Sequence, residues 1–253
     1  MTLSQASLAV ALALTATATA AGEETLKFRG YAYDLASNRF LYTELHQQRI
    51  VDQRWLGGTI VYVAPDGSEL GRKSLEFSQD PFVPLYRLDL KPRGGYSESI
   101  TGLSADRIEM ARQRYGARDV ERASVKRPQH AAADSGVHVY IREHFSELLA
   151  GQTVTFVFAV AGNLDAYKFR VRRLSDTTFE GQPAVRFRVE PDSLLRWLFA
   201  PLELTYETGQ RRLLEYRGLS NLHDPATGKA YNARIVYPSS PPAGAPPVPA
   251  GLE

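Results

Sequence analysis

Residues 151–190 read GQTVTFVFAV AGNLDAYKFR VRRLSDTTFE GQPAVRFRVE, and the spacing inside this stretch decides the fold. Three runs, Gly151–Val160, Ala166–Leu174 and Ala184–Glu190, alternate apolar and polar residues with the period of a half-buried strand. Val154, Phe156, Phe158 and Val160, then Tyr167, Phe169 and Val171, then Val185, Phe187 and Val189 share one face. Lys168, Arg170, Arg172, Arg186 and Arg188 occupy the other, so the sheet has one greasy side and one wet side. Gly162-Asn163 and Gly181-Gln182-Pro183 break the runs at hairpin spacing, which makes an antiparallel meander whose apolar face needs a cover.

The cover lies just upstream. Val137, Tyr140, Ile141, Phe145, Leu148 and Leu149 recur at helical spacing, Arg142, Glu143, Ser146 and Glu147 fall opposite, and Gly151 is placed to stop the helix. This predicts a helix over 137–150 that plugs the sheet. Before it, the stretch KRPQHAAADSG at Lys126–Gly136 has no apolar period and predicts a surface loop, 128–136, between halves 22–127 and 137–237. Downstream, Pro191–Pro201 is an apolar excursion bounded by prolines, with Asp192 or Ser193 able to cap one helical turn. Strands follow at 202–206, 212–218 and 229–237, with Glu203, Glu207 and Glu215 set to face the basic row.

The first third is also β-rich. Strand formers crowd 26–33 and 38–45, Gly57–Val63 leads into the turn Pro65-Asp66-Gly67, and a further run ends at Phe77 before Leu85–Leu90. Arg107–Tyr115 admits either period and is read as strand. At the N-terminus, residues 1–21 are apolar then small, uncharged, and carry the Ala-x-Ala pattern at Ala18–Ala20. They predict a signal peptide cleaved before Ala21 or Gly22, its apolar core being shorter than the about 20 residues a spanning helix needs. No transmembrane helix is expected in the mature chain. The segment 238–253, PSSPPAGAPPVPAGLE, predicts a Pro-rich tail, disordered or extended, after a single β-rich domain over 22–237.

Composition excludes several roles. Among 253 residues, 43% are hydrophobic and 10% aromatic, ample for a core. Thirty basic against 28 acidic residues give a formal charge of +2, which is no footprint for nucleic acid. With no cysteine there is no disulfide, thiolate metal site, cysteine nucleophile or lipidated N-terminal cysteine.

Chemistry-bearing motifs are missing: no glycine-rich phosphate loop, no His-Glu-x-x-His and no Gly-x-Ser-x-Gly occur. The histidines His46, His130, His138, His144 and His223 are scattered. His144, one helical turn from Glu147, reads as a boundary histidine satisfied by a hydrogen bond. Ser220, His223 and Asp224 stand too close in sequence for a nucleophile-base-orienter line and read as a turn before Pro225. Asp34, Glu44 and Asp52 supply carboxylates with nothing to fix their separation. No catalytic residue, metal ligand or cofactor is therefore assigned. The aromatic supply points elsewhere: Phe156, Phe158, Tyr167, Phe169, Phe187, Tyr206 and Tyr216 converge on one sheet face, and with Leu194, Trp197 and Phe199 as a lip they predict an apolar pocket where one helix incompletely fills a curved sheet, Phe156, Phe158, Phe169 and Phe187 supplying its surface.

Along Asp134-Ser135-Gly136-Val137-His138-Val139-Tyr140-Ile141-Arg142, through Leu149-x-Gly151 and Pro191 to Pro201-Leu202 and Tyr216-Arg217-Gly218-Leu219-Ser220-Asn221-Leu222, the chain resembles a group of uncharacterised exported proteins of Gram-negative bacteria. The resemblance implies export to the cell envelope and an architecture like the half-open barrels of periplasmic lipoprotein carriers; it carries no activity over. The combined expectation is a mainly β protein, a strongly bent antiparallel sheet or incomplete β-barrel with one helix, about 137–150, in its concavity. Its expected role is non-enzymatic: a periplasmic protein binding an apolar or lipid-like ligand or an envelope partner. An outer-membrane β-barrel and an envelope hydrolase with an unidentified site are the alternatives.

Overall fold

A computed structural model of the chain describes residues 22–192 and 200–250. The expected signal peptide, residues 1–21, and the expected lip residues Leu194, Trp197 and Phe199 lie outside the described residues. Among the described residues fifteen strands form one mainly antiparallel sheet. The first eight are β1 (Glu23–Asp34), β2 (Phe40–Val51), β3 (Arg54–Val63), β4 (Glu69–Glu76), β5 (Leu85–Leu90), β6 (Tyr96–Leu103), β7 (Arg107–Gln113) and β8 (Glu121–Lys126). Then come β9 (Ala131–Ala133), helices α1 (Gly136–Glu143) and α2 (Phe145–Leu149), and strands β10 (Val154–Val160), β11 (Asp165–Phe179), β12 (Gln182–Pro191), β13 (Leu202–Glu207), β14 (Leu213–His223) and β15 (Ala230–Val236).

The order across the sheet is β8-β7-β6-β5-β4-β3-β2-β1-β15-β14-β13-β12-β11-β10-β9, so the first and last strands meet in the middle and β8 and β9 are the two edges. Those edges are neighbours in sequence, and this forces the curvature. Fifteen strands laid flat at about 4.8 Å spacing would separate the edges by roughly 67 Å. The chain from Lys126 to Ala131 reaches at most about 18 Å. The sheet must therefore bend until its edges approach, an incomplete barrel as expected. A contact across the gap holds it there: Arg112 on β7, steadied by Glu121 of the adjacent β8 at 2.7 Å, donates to the Gly162 carbonyl after β10 at 2.6 Å.

The bend puts the apolar parity inside. Beneath the second half, Phe156, Phe169, Val171, Val185, Phe187, Val189, Leu204 and Tyr206 pack against Val137, Tyr140, Ile141, Phe145 and Leu148 of the helices. The first half buries Ile60, Tyr62, Leu75, Leu88, Ile100, Ile108 and Met110. Outside, the arginine row is matched by carboxylates: Arg170 and Arg172 on Glu190, Arg188 and Arg186 on Glu203, and Arg234 and Arg217 on Glu215. Glu207 does not join the row; its carboxylate accepts from the Gly209 and Gln210 amides of its own turn.

Two expectations are corrected. The helix is divided at His144, where the backbone (φ −90°, ψ 18°) departs from helical values and the Arg142 carbonyl accepts from Arg211 Nη1 at 3.1 Å. The apolar stripe continues across the break, and Gly151 ends it at φ 83° as its position implies. The stretch 128–136 is not a surface loop throughout: Ala131–Ala133 are buried and pair in parallel with Val157–Ala159. Alanine has little strand preference of its own. This strand exists because the loop before β5 closes over it, with Ala133 donating to the Phe82 carbonyl at 2.9 Å. Gly136 is required there, since a Cβ would stand 1.9 Å from that same carbonyl oxygen. The described part of the Pro-rich segment, 238–250, has no regular secondary structure, and its Val248 packs on Leu45, Val61 and Val63 on the outer side of the sheet.

Candidate functional site

The bent sheet and α1 do not fill all the space between them. A cavity of about 460 Å³ remains, bounded by β1 to β4 on one side, β12 to β15 on another, and the β9–α1 turn above. Phe28, Trp55, Ile60, Tyr62, Phe158, Val189, Leu202, Leu204, Leu213, Tyr216 and Ile235 give it an apolar wall. It is elongated: Leu213 and Asn221 both line it, and eight residues along β14 at about 3.3 Å each span roughly 26 Å.

At one end the polar groups pair with one another. Lys73 Nζ donates to Asp134 Oδ2 at 2.6 Å, both side chains being 3% exposed, and Asn221 Nδ2 donates to the same oxygen at 2.8 Å. Ser135 donates its amide and hydroxyl to Asp134 Oδ1. Asp134 adopts φ 43°, a left-handed conformation that aspartate tolerates better than most residues and that these bonds hold in place. Burial pushes its carboxyl upward, but attraction to Lys73 and the hydrogen bonds from Lys73 and Ser135 outweigh burial and leave it below the usual carboxylate range. On the same wall, Glu44 Oε2 accepts from His46 Nε2 at 2.8 Å and from the Tyr237 hydroxyl at 3.0 Å. Tyr42 and Ser220 share a hydrogen bond of 2.5 Å.

His138, on α1, stacks on Tyr206 with rings 9° from parallel and is bonded to its hydroxyl at 3.0 Å. Burial first, then the nearness of Arg142 and His46, pushes the imidazole down to about 3, so it is neutral in the folded protein at ordinary pH. An unfolded chain would protonate it near 6.5. The folded pKa lies below the unfolded one, so stability is full above about pH 6.5 and is lost as pH falls toward 3. His138→Phe is expected to flatten the loss of unfolding free energy between pH 6.5 and 4, measured by urea titration. Equal slopes for the two chains would mean that His138 titrates alike in both states.

No protein family, curated protein or solved structure matches the chain. The site must therefore be read from its own residues. Of the aromatics expected on the pocket face, Phe158, Tyr206 and Tyr216 line the cavity. Phe156, Phe169 and Phe187 are instead buried core beneath the helices, because α1 and α2 fill that part of the concavity. His144 Nδ1 pairs with Glu147 at 3.0 Å, away from the cavity. Ser220, His223 and Asp224 make no triad: Ser220 bonds Tyr42, His223 bonds Tyr115, and Asp224 accepts from the Ala226 amide in its turn. The carboxylates Asp34, Glu44 and Asp52 do not converge either, since only Glu44 reaches the cavity while Asp34 holds the β1–β2 turn through Ser37 and Asp52 sits in the β2–β3 turn. Among the described residues no three His, Asp or Glu side chains gather as a metal site.

Sequence reading missed Glu44, His46, Lys73, Asp134 and His138 as cavity residues. A signal existed in the parity of the strands. Tyr42, Glu44 and His46 share a face, as do Gly71, Lys73 and Leu75, so charged residues stand on sides that are otherwise apolar.

Proposed function

We propose that the chain is a non-enzymatic binding protein of the periplasm that holds an apolar or lipid-like ligand in the concave cavity. The observation that carries this is the chemistry of the wall: a cavity of about 460 Å³, within the about 300–1,000 Å³ usual for small-molecule sites, is lined mainly by aromatic and aliphatic side chains. Lys73 and Asp134 pair with each other, and Glu44 is hydrogen-bonded by His46 and Tyr237, so these buried groups ask nothing of a ligand. Taking about 30 Å³ as the share of a water-sized group, the volume accepts about 15 such groups, the scale of one chain rather than a two-chain lipid. The apolar side of the sheet faces inward and the arginine side outward, the reverse of what a lipid-facing outer-membrane barrel requires. Against the hydrolase alternative, Ser220 is held by Tyr42 rather than by a base.

Native mass spectrometry on protein purified from periplasm without detergent, followed by lipid extraction, tests the reading. An apolar molecule is expected to leave the protein on unfolding, and Leu202→Trp, which fills the cavity from its wall, is expected to reduce its occupancy at least severalfold with little change in melting temperature. A clean apo mass for the unaltered chain, together with no uptake of added fatty acid or methyl ester, would overturn it.

A further inference from the structure

The two ends of the cavity differ in charge, and the difference selects a ligand. At the end built from Lys73, Asp134 and Asn221 the charges cancel. At the other end, where Leu26, Gln210 and Leu213 line the opening, stand Arg142 from α1 and Arg212 from the β13–β14 hairpin, both exposed and both on the cavity wall. Among the described residues neither guanidinium has a carboxylate within ion-pair distance; Arg212 donates to the Tyr237 carbonyl at 3.1 Å. This contrasts with the outer face, where arginines from β11, β12, β14 and β15 are matched by Glu190, Glu203 and Glu215. A third cation, Arg211, ties the two elements together: it donates to the Arg142 carbonyl and lies 5.4 Å over the Phe145 ring. Of the carboxylates flanking Arg212, Glu207 is spent on its own turn amides and Glu215 on Arg217 and Arg234.

Resting on the reading of the cavity as an apolar ligand site, we infer that the ligand is a single-chain amphiphile with an anionic head, its chain along the cavity and its head held by Arg142 and Arg212. Paired guanidiniums at an opening suit a carboxylate or phosphate because their donors are fixed in a fork that matches those oxygens. The length of roughly 26 Å and the volume of about 460 Å³ together describe a narrow channel for one chain. The far end needs no charge from the ligand, since its own are paired. The fold of α1 against the β13–β14 hairpin is thus what places the two cations over one opening.

The test compares four probes on delipidated protein by equilibrium dialysis: palmitate with its methyl ester, and 1-palmitoyl lysophosphatidate with monopalmitin. The unaltered chain is expected to hold at least one anionic probe about tenfold or more tighter than its uncharged counterpart, with the preference shrinking as salt is raised. Which anion wins separates a fatty acid from a lysophospholipid. Arg142→Ala with Arg212→Ala is expected to abolish the preference while leaving methyl palmitate binding intact, and Arg142→Lys with Arg212→Lys to keep only part of it, since lysine supplies the charge without the fork. Equal binding of charged and uncharged probes overturns the head-group assignment and leaves the cavity reading standing. A preference that survives the alanine pair overturns the role of these two arginines. Failure of all four probes to bind removes the cavity reading and this inference together.

Discussion

Replacing Lys73 by methionine is expected to cost about 3–5 kcal/mol of unfolding free energy at pH 7, because it leaves the Asp134 carboxylate, 3% exposed, with no opposite charge. Methionine preserves the length and apolar stem of lysine, so the effect isolates the charge. Two carboxyl groups feel the loss. Asp134 loses its partner at 2.6 Å, and Glu98, already raised by burial and held by hydrogen bonds from Tyr96 and Tyr86, loses the attraction that Lys73 exerts on it. The pH dependence provides a second reading. In the native chain the Asp134 carboxyl titrates below its unfolded value, so its contribution is present above about pH 4 and lost on further acidification. Without Lys73 only the hydrogen bonds from Ser135 and Asn221 oppose burial, so the carboxyl rises and protonation relieves part of the penalty as pH falls. The gap between the two chains should therefore be widest at pH 7–8 and narrow toward pH 4, seen in urea titrations at each pH. Lys73→Met combined with Asp134→Asn should recover most of the loss, since asparagine tolerates the left-handed backbone and keeps an acceptor for Ser135. A single variant that loses less than about 1 kcal/mol would place the pair in water.

The same pair explains what the sequence could and could not disclose. Strands with one buried face were legible because burial imposes period two: Val154, Phe156, Phe169, Val171, Val185, Phe187 and Val189 all lie inside, as their spacing requires. The helix stripe was legible for the same reason at its own period. Turn residues such as Pro65-Asp66-Gly67 marked hairpins through local backbone demands. What stayed hidden rests on long-range meetings. Lys73 and Asp134 are 61 residues apart and come together only because the sheet bends. Ala131–Ala133 become a strand through the neighbours that enclose them, not through any preference of alanine. Which aromatics face empty space and which face a helix was equally out of reach, since all carry the same parity. Arg142 and Arg212 read as ordinary surface charge until α1 and the hairpin are placed side by side.

The distinction between core and cavity leads to the second large effect. Phe187→Ala is expected to destabilise the chain by about 3–5 kcal/mol, because Phe187 is 0% exposed and touches Phe145 at 5.4 Å and Tyr206 at 5.8 Å between ring centres, with no room for the surroundings to collapse. Phe158→Ala removes the same atoms from β10, two strands away, but Phe158 is only half-buried and borders space that is already empty. Its loss merely widens an existing cavity, so fewer packing contacts disappear and the stability cost should be clearly smaller, while the hold on an apolar ligand weakens. Urea titration of the two variants, with palmitate uptake measured on each, separates the cases. A large loss at Phe187 and a small one at Phe158 would mean that the helices fill one part of the concavity and leave the other open. Equal large losses would mean that the space beside Phe158 is packed core, and the chain would then have no room for a ligand there.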